Sequence, residues 1–177
     1  MNIYPPSEDT YFLSDYVKDF SNLQVLEIGC GNGFVTTVLA QNNESVIATD
    51  IDINSVNATQ ALLKSQKLTN VELIVSNSAS AVKSSIFDLV VFNPPYLPNS
   101  SIDDKNLDGG TTGVELTKEW LDVSHRALKN NGIVVFVASS LSKIDEIFTS
   151  SLFNFDVKRR KHLFFEDLLI IQGTKIQ

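Results

Sequence analysis

The segment Val25–Leu26–Glu27–Ile28–Gly29–Cys30–Gly31–Asn32–Gly33 constrains this chain most, because an apolar run ends abruptly in three alternate glycines. Glycine at the carboxyl end of a strand permits a tight turn and lets a ligand approach bare backbone. A helical pattern over Phe34–Gln41 follows at once. Strand, glycine turn and helix in that order open a parallel α/β sheet.

The rest of the chain repeats the alternation. Strands are expected over Ser45–Thr49, Val71–Val75, Phe87–Phe92 and Ile133–Ala138, and helices over Asn54–Lys67, Val114–Lys129 and Leu141–Ser150. Val56, Leu62 and Leu63 are inward candidates of the first of these helices. Leu116, Trp120, Val123 and Ala127 share one face of the next at helical spacing, and Asn130–Asn131–Gly132 should end it. Phe153–Val157 and Leu163–Ile171 have no helix between them, so they read as an antiparallel pair. The basic run Lys158–His162 that joins them reads as a solvated turn. The fold class is therefore α/β, a mostly parallel sheet with helices on both faces, in one domain over residues 1–177. The long polar segment Leu97–Gly113 is a candidate active-site lid.

Composition narrows the function. No apolar stretch approaches the ~20 residues that span a bilayer, and no targeting segment opens the chain. No membrane partner is expected, and the expected location is cytoplasmic, with the nucleus as the alternative. Cys30 is the single cysteine, so no disulfide and no metal site are expected. The formal net charge of -7 disfavours a nucleic-acid substrate, which normally meets a basic patch.

The glycine spacing is G-x-G-x-G, with Glu27 two residues before Gly29. A carboxylate there is unfavourable beside phosphates but suits a cation. S-adenosylmethionine carries an ammonium and a sulfonium and no phosphate. Gly29, Gly31 and Gly33 would form its cradle. Asp50 lies 21 residues after Gly29, at the end of the next strand, where an acid bonds ribose hydroxyls. Asp52 could share that role or cap the helix after it. Asn77, after the third strand, is either an adenine contact or a turn residue. Cys30 reads as a small residue between glycines, and His125 and His162 as structural.

Phe92–Asn93–Pro94–Pro95–Tyr96 follows an apolar strand directly. Two prolines fix the backbone and remove two N–H donors, which leaves the Asn93 amide oxygen and the Pro94 carbonyl as acceptors. Such a pair can hold both N–H bonds of a planar NH2 group and aim its nitrogen at a methyl donor. Tyr96 can pack on the flat acceptor.

With these motifs the chain resembles the Asn-Pro-Pro-Tyr branch of class I methyltransferases, and most closely the eukaryotic and archaeal release-factor glutamine methyltransferases. Tyr4–Pro5–Pro6–Ser7–Glu8–Asp9–Thr10, Thr49–Asp50–Ile51 and Asp108–Gly109–Gly110–Thr111–Thr112–Gly113–Val114–Glu115 add to the likeness. The resemblance implies a Rossmann-like seven-stranded sheet with an antiparallel C-terminal hairpin. It implies cofactor or substrate contacts at Thr10, Glu27, Gly29, Asp50 and Asn93, with the glutamine of a release factor's Gly-Gly-Gln tripeptide as acceptor. It also implies a heterodimer with a small zinc-binding activator protein, whose docking is expected on an edge strand at Val71–Val75. Ser7 is expected to cap the first helix through its side chain. The competing readings are a methyltransferase of exocyclic base amines and a non-catalytic scaffold of the same fold.

Overall fold

The computed structural model describes residues 4–98 and 110–176. Seven strands form one sheet: β1 (Gln24–Ile28), β2 (Ser45–Asp50), β3 (Val71–Val75), β4 (Phe87–Phe92), β5 (Leu128–Ser139), β6 (Phe153–His162) and β7 (Asp167–Lys175). Their order is β3-β2-β1-β4-β5-β7-β6. The first five are parallel, and β7 runs antiparallel to both β5 and β6. Helices α1 (Glu8–Val17), α2 (Phe34–Asn42), α3 (Ile53–Ser65), α4 (Glu115–Ala127) and the single turn α5 (Asp145–Phe148) complete it.

Successive strand residues point to opposite faces, and the core divides accordingly. Val25, Leu89, Val91 and Val135 pack with Leu13 and Val17 of α1 and Leu39 of α2. Leu26, Val90, Phe92, Val134 and Phe136 pack with Leu121 of α4 and Ile147 of α5. Both faces are thus covered, which explains why β4 reads as a nearly unbroken apolar run. In register, Ile28, Phe92 and Phe136 lie side by side with Thr49 next to Ile28, so β1, β2 and β4 stop together and their following turns share one edge.

Several expected boundaries shift. Helix α4 stops at Ala127, ahead of Asn130–Gly132, and the chain enters β5 directly. Leu128 is fully buried opposite Phe87, and the exposed 129–131 segment is absorbed as an irregularity before Ile133 meets Leu89. The buried face of α4 centres on Thr117, Leu121, Ser124 and Ala127, with Trp120 and Val123 partly buried beside it. The expected helix Leu141–Ser150 shrinks to one turn, because Ser142 donates its hydroxyl to the Tyr96 carbonyl and Lys143 its N–H to the Thr112 carbonyl. The basic run is strand, not turn. Lys158–His162 extends β6, and the turn is Leu163–Glu166. An exposed edge strand tolerates this composition, since charge discourages pairing with other chains. Ser7 sits at the α1 N-cap but makes no capping bond; its hydroxyl donates to Asp9 instead. Most of the candidate lid, Asp108–Gly109 included, lies outside the described residues. No helix among the described residues is long and apolar enough to cross a membrane.

Candidate functional site

The shared edge of β1, β2 and β4 opens onto a cavity of about 340 Å3. One half is the glycine turn. Gly29 and Cys30 donate their N–H groups to the Thr49 carbonyl at 2.8 and 2.9 Å, which fastens the turn to β2. Gly31, at φ 53°, donates its N–H to Asp50 Oδ2 at 2.9 Å. A Cβ added there would meet nothing within 4 Å, so bare backbone faces the cavity. Gly33 does not line the cavity. Its Cβ would come within 2.9 Å of the Thr59 Cα, so this glycine, at φ 83°, lets α2 approach α3.

Glu27 lines the cavity, is 3% exposed and accepts the Thr36 hydroxyl. Among the described residues no Lys, Arg or His pairs with it. Burial pushes its pKa up to about 8; the Thr36 bond opposes that rise and the Asp50 charge adds to it. The cavity therefore carries a buried acid that a cationic ligand would complete. Asp50 accepts from Gly31 through one oxygen and from the Asp52 N–H through the other, each at 2.9 Å. Asp52 caps α3 through the Asn54 N–H and also lines the cavity. Asn77 is exposed at the rim, whereas the neighbouring Ser78 is buried at φ 55°, and its hydroxyl has no partner among the described residues. Cys30 is buried and its thiol is pushed up to about 12, chiefly by burial, which removes it as a nucleophile.

The other half is Asn93–Tyr96. Asn93 Nδ2 donates to Asp9 Oδ2 at 3.0 Å, and the Tyr96 hydroxyl donates to the same oxygen at 3.1 Å. An ionised carboxylate only accepts, so Asp9 dictates which way the Asn93 amide lies. Asn93 Oδ1 is turned away from Asp9, buried and without a partner among the described residues. Burial raises the Asp9 pKa, but bonds from Ser7, Asn93, Thr10 and Tyr96 outweigh it, and the net value is below the ordinary one. Burial and the Asp9 charge raise the Tyr96 phenol, which stays a neutral donor. Thr10 lines the cavity and donates both its N–H (2.6 Å) and its hydroxyl (3.3 Å) to Asp9 Oδ1. Pro94, Pro95, Leu116 and Trp120 complete the walls.

The cavity thus brings together Thr10, Glu27, Gly29, Gly31, Asp50, Asn77, Asn93, Pro94 and Tyr96, and leaves out Gly33. Sequence reasoning gave no role in the site to Asp9, which entered only as part of the opening segment Tyr4–Thr10, and missed the hydroxyl of Ser78. It also missed Tyr4, whose carbonyl accepts the Asn32 amide and which closes one side of the cavity.

A Methanocaldococcus jannaschii protein, provisionally named a protein N5-glutamine methyltransferase, is 30% identical over 185 residues, covering 98% of this chain and 92% of its own. The eRF1 methyltransferase catalytic subunit mtq2 of Schizosaccharomyces pombe is 26% identical over 178 residues, covering 82% of this chain and 76% of its own. Among solved structures, the E. cuniculi Mtq2–Trm112 complex, described as methylating the eRF1 termination factor, aligns with a TM-score of 0.81 at 24% identity. That alignment covers 99% of this chain and 100% of the other, and shows the shared fold. The family profile for the methyltransferase small domain matches residues 9–165, and the chain belongs to that family.

Proposed function

We propose that this chain transfers a methyl group from S-adenosylmethionine to the side-chain amide nitrogen of a glutamine, in the Gly-Gly-Gln tripeptide of a peptide-chain release factor. The observation that carries the reading is Asn93 Oδ1, a buried and unpartnered acceptor whose direction Asp9 fixes. The names of the relatives support the choice of acceptor. Incubating the chain with a purified release factor and S-adenosylmethionine, then mapping the product by mass spectrometry, tests it. One methyl on the glutamine supports the reading; a label elsewhere, or none, overturns it.

When bound, S-adenosylmethionine supplies a methyl group made electrophilic by its sulfonium. The chain does the rest. The bare backbone at Gly29 and Gly31 admits the ligand, and Glu27 balances its cationic groups. Asp50, with Asp52 beside it, takes ribose hydroxyls. Asn77 and Ser78 offer polar atoms to the base, and Thr10 closes the site. Asn93 Oδ1 and the Pro94 carbonyl accept the two N–H bonds of the glutamine amide. This aims the nitrogen and stabilises the positive charge that grows on it, and one of the two N–H protons then leaves to solvent to give the neutral N-methyl amide. The Tyr96 and Trp120 rings exclude water. A cytoplasmic place of work suits a substrate of the translation apparatus.

Two binding results are expected. Asp50→Ala should weaken S-adenosylmethionine binding by about 1–3 kcal/mol, since a charged acceptor of ribose hydroxyls is lost. Calorimetry checks this, and unchanged affinity would move the role to Asp52. Glu27 predicts a pH dependence. Its pKa of about 8 means that it carries a proton at pH 7 until a cation comes beside it. A cationic ligand favours the carboxylate, so binding releases a proton. Affinity should therefore rise with pH up to about 8 and level off above it. The same raised pKa acts on folding the other way: stability falls as pH rises from the unfolded value of about 4.5 toward 8. Heats of binding in buffers of different ionisation enthalpy measure the released proton, and Glu27→Gln should abolish it.

The same proposal includes a heterodimer with a small zinc-binding activator protein that carries its own metal. β3 is an edge of the sheet, with Val71, Leu73 and Ile74 half-buried. Ile53 at the start of α3, the helix that packs on β3, and Val75 at the end of β3 are exposed apolar side chains. Backbone pairing with another strand would cover that edge. Ile53→Asp combined with Val75→Asp should abolish co-purification of the partner while leaving the melting temperature nearly unchanged. A monodisperse, fully active monomer of the wild type would sink this part.

A further inference from the structure

Phe164 and Phe165 form the tip of the β6–β7 hairpin, 89% and 83% exposed, with their rings in edge contact at 4.6 Å between centroids. No other large apolar side chain among the described residues is as exposed. The tip lies at the functional end of the sheet. β7 runs antiparallel to β5 with Leu168 opposite Ser139, so the turn meets the carboxyl ends of the parallel strands. Leu163 belongs to the same apolar cluster as Tyr96. The Ser139 hydroxyl donates to Glu166, and the Ser142 hydroxyl to the Tyr96 carbonyl. The hairpin is thus braced against the acceptor motif. Ser140 ties the start of β7 to the end of β5: its N–H donates to the Asp167 carbonyl and its hydroxyl accepts the Asp167 N–H.

Charge decides the kind of partner. Each Lys and Arg of the adjoining β6 run already has an acid: Lys158 pairs with Asp156, Arg159 with Asp15, Arg160 with Asp167, and Lys161 with Glu8, while the His162 ring also meets Asp167. No free positive charge remains on the run to hold phosphates, and the chain is acidic overall. That argues against nucleic acid and against an anionic lipid surface. The activator proposed above occupies the opposite edge, at β3. A glutamine side chain alone gives an enzyme little to recognise, so contacts outside the cavity must select the protein that bears it. We propose that Phe164 and Phe165 dock into an apolar cleft of the protein substrate beside the methylated glutamine. This inference rests on the glutamine-methylation reading. Paired aromatic anchors are typical hot spots of such contacts.

The test compares wild type, F164A/F165A and F164L/F165L, each as the full chain with any subunit that accompanies it. Two substrates are used: an intact release factor and a short peptide spanning its Gly-Gly-Gln segment. The alanine pair should raise KM for the intact factor about tenfold or more with kcat nearly unchanged, as expected when uniform binding is lost. The leucine pair should recover much of that loss, and kinetics on the peptide should not change. Equal KM values for the intact factor would overturn the inference while leaving the glutamine reading in place. So would an unchanged KM together with lost methylation of RNA, or with a changed oligomeric state. Absence of transfer by wild type to either substrate would overturn the glutamine reading, and the inference with it.

Discussion

Asn93→Ala is expected to lower turnover by about a hundred- to a thousandfold, the size typical of removing one fixed hydrogen-bonding group from a reacting centre. Cofactor affinity should stay within a few-fold of wild type. Asn93 Oδ1 has no protein partner among the described residues, so it is free to bond the acceptor, and that bond strengthens as charge grows on the nitrogen. The substitution should leave the surroundings intact, because Asp9 keeps its bonds from Ser7, Thr10 and Tyr96. Single-turnover kinetics at saturating S-adenosylmethionine, together with calorimetry, separate the two effects. A variant that keeps wild-type turnover would show that Asn93 does not hold the acceptor.

The backbone features of the site were readable in advance because they demand particular residue types. Bare backbone at Gly31 needs glycine, and the end of β4 needs prolines that withhold N–H groups. Glu27 and Asp50 were readable because their spacing from that turn is short and fixed. Asp9 was not. It lies 84 residues from Asn93, and an acid in the first turn of a helix has an ordinary electrostatic reason to be there. The true boundary between β6 and its turn was hidden for a similar reason. Lys158–His162 looks like a solvated loop until Asp15 and Glu8 of α1 are seen to lie across from it. Gly33 shows the converse: the spacing assigned it to the ligand, and packing against Thr59 accounts for it instead. Pattern recognises groups that act through local geometry, whereas groups that act on another side chain emerge only when the fold brings the two together.

Asp9→Asn should lower kcat by about ten- to a hundredfold while barely changing the fold, because it reverses the polarity of the Asn93 amide. In the wild type, Asp9 Oδ1 faces the Thr10 N–H at 2.6 Å and the Ser7 hydroxyl, and Oδ2 faces Asn93 Nδ2 and the Tyr96 hydroxyl. An asparagine at position 9 keeps its oxygen toward Thr10, where a donor requires it, and turns its NH2 toward Asn93. Two NH2 groups cannot share one hydrogen bond, so the Asn93 amide must flip. Its own NH2 then faces the cavity in place of the acceptor. The Tyr96 hydroxyl can accept the new N–H, but its own proton loses the Asp9 acceptor and the flipped Asn93 NH2 takes a buried place without a partner, so the melting temperature should fall by a few degrees while the fold persists. Adding Asn93→Asp to the same chain supplies a carboxylate at position 93. One of its oxygens accepts from the amide introduced at position 9, and the other again offers an acceptor to the cavity. The double variant D9N/N93D should therefore recover at least several-fold of the kcat lost in D9N, whereas N93D alone sets two carboxylates against each other and should be the least stable of the three. Stopped-time methylation assays on one release factor, with thermal melts of each variant, measure both quantities. Full activity in D9N, or no recovery in the double variant, would show that Asp9 serves the fold and does not orient Asn93.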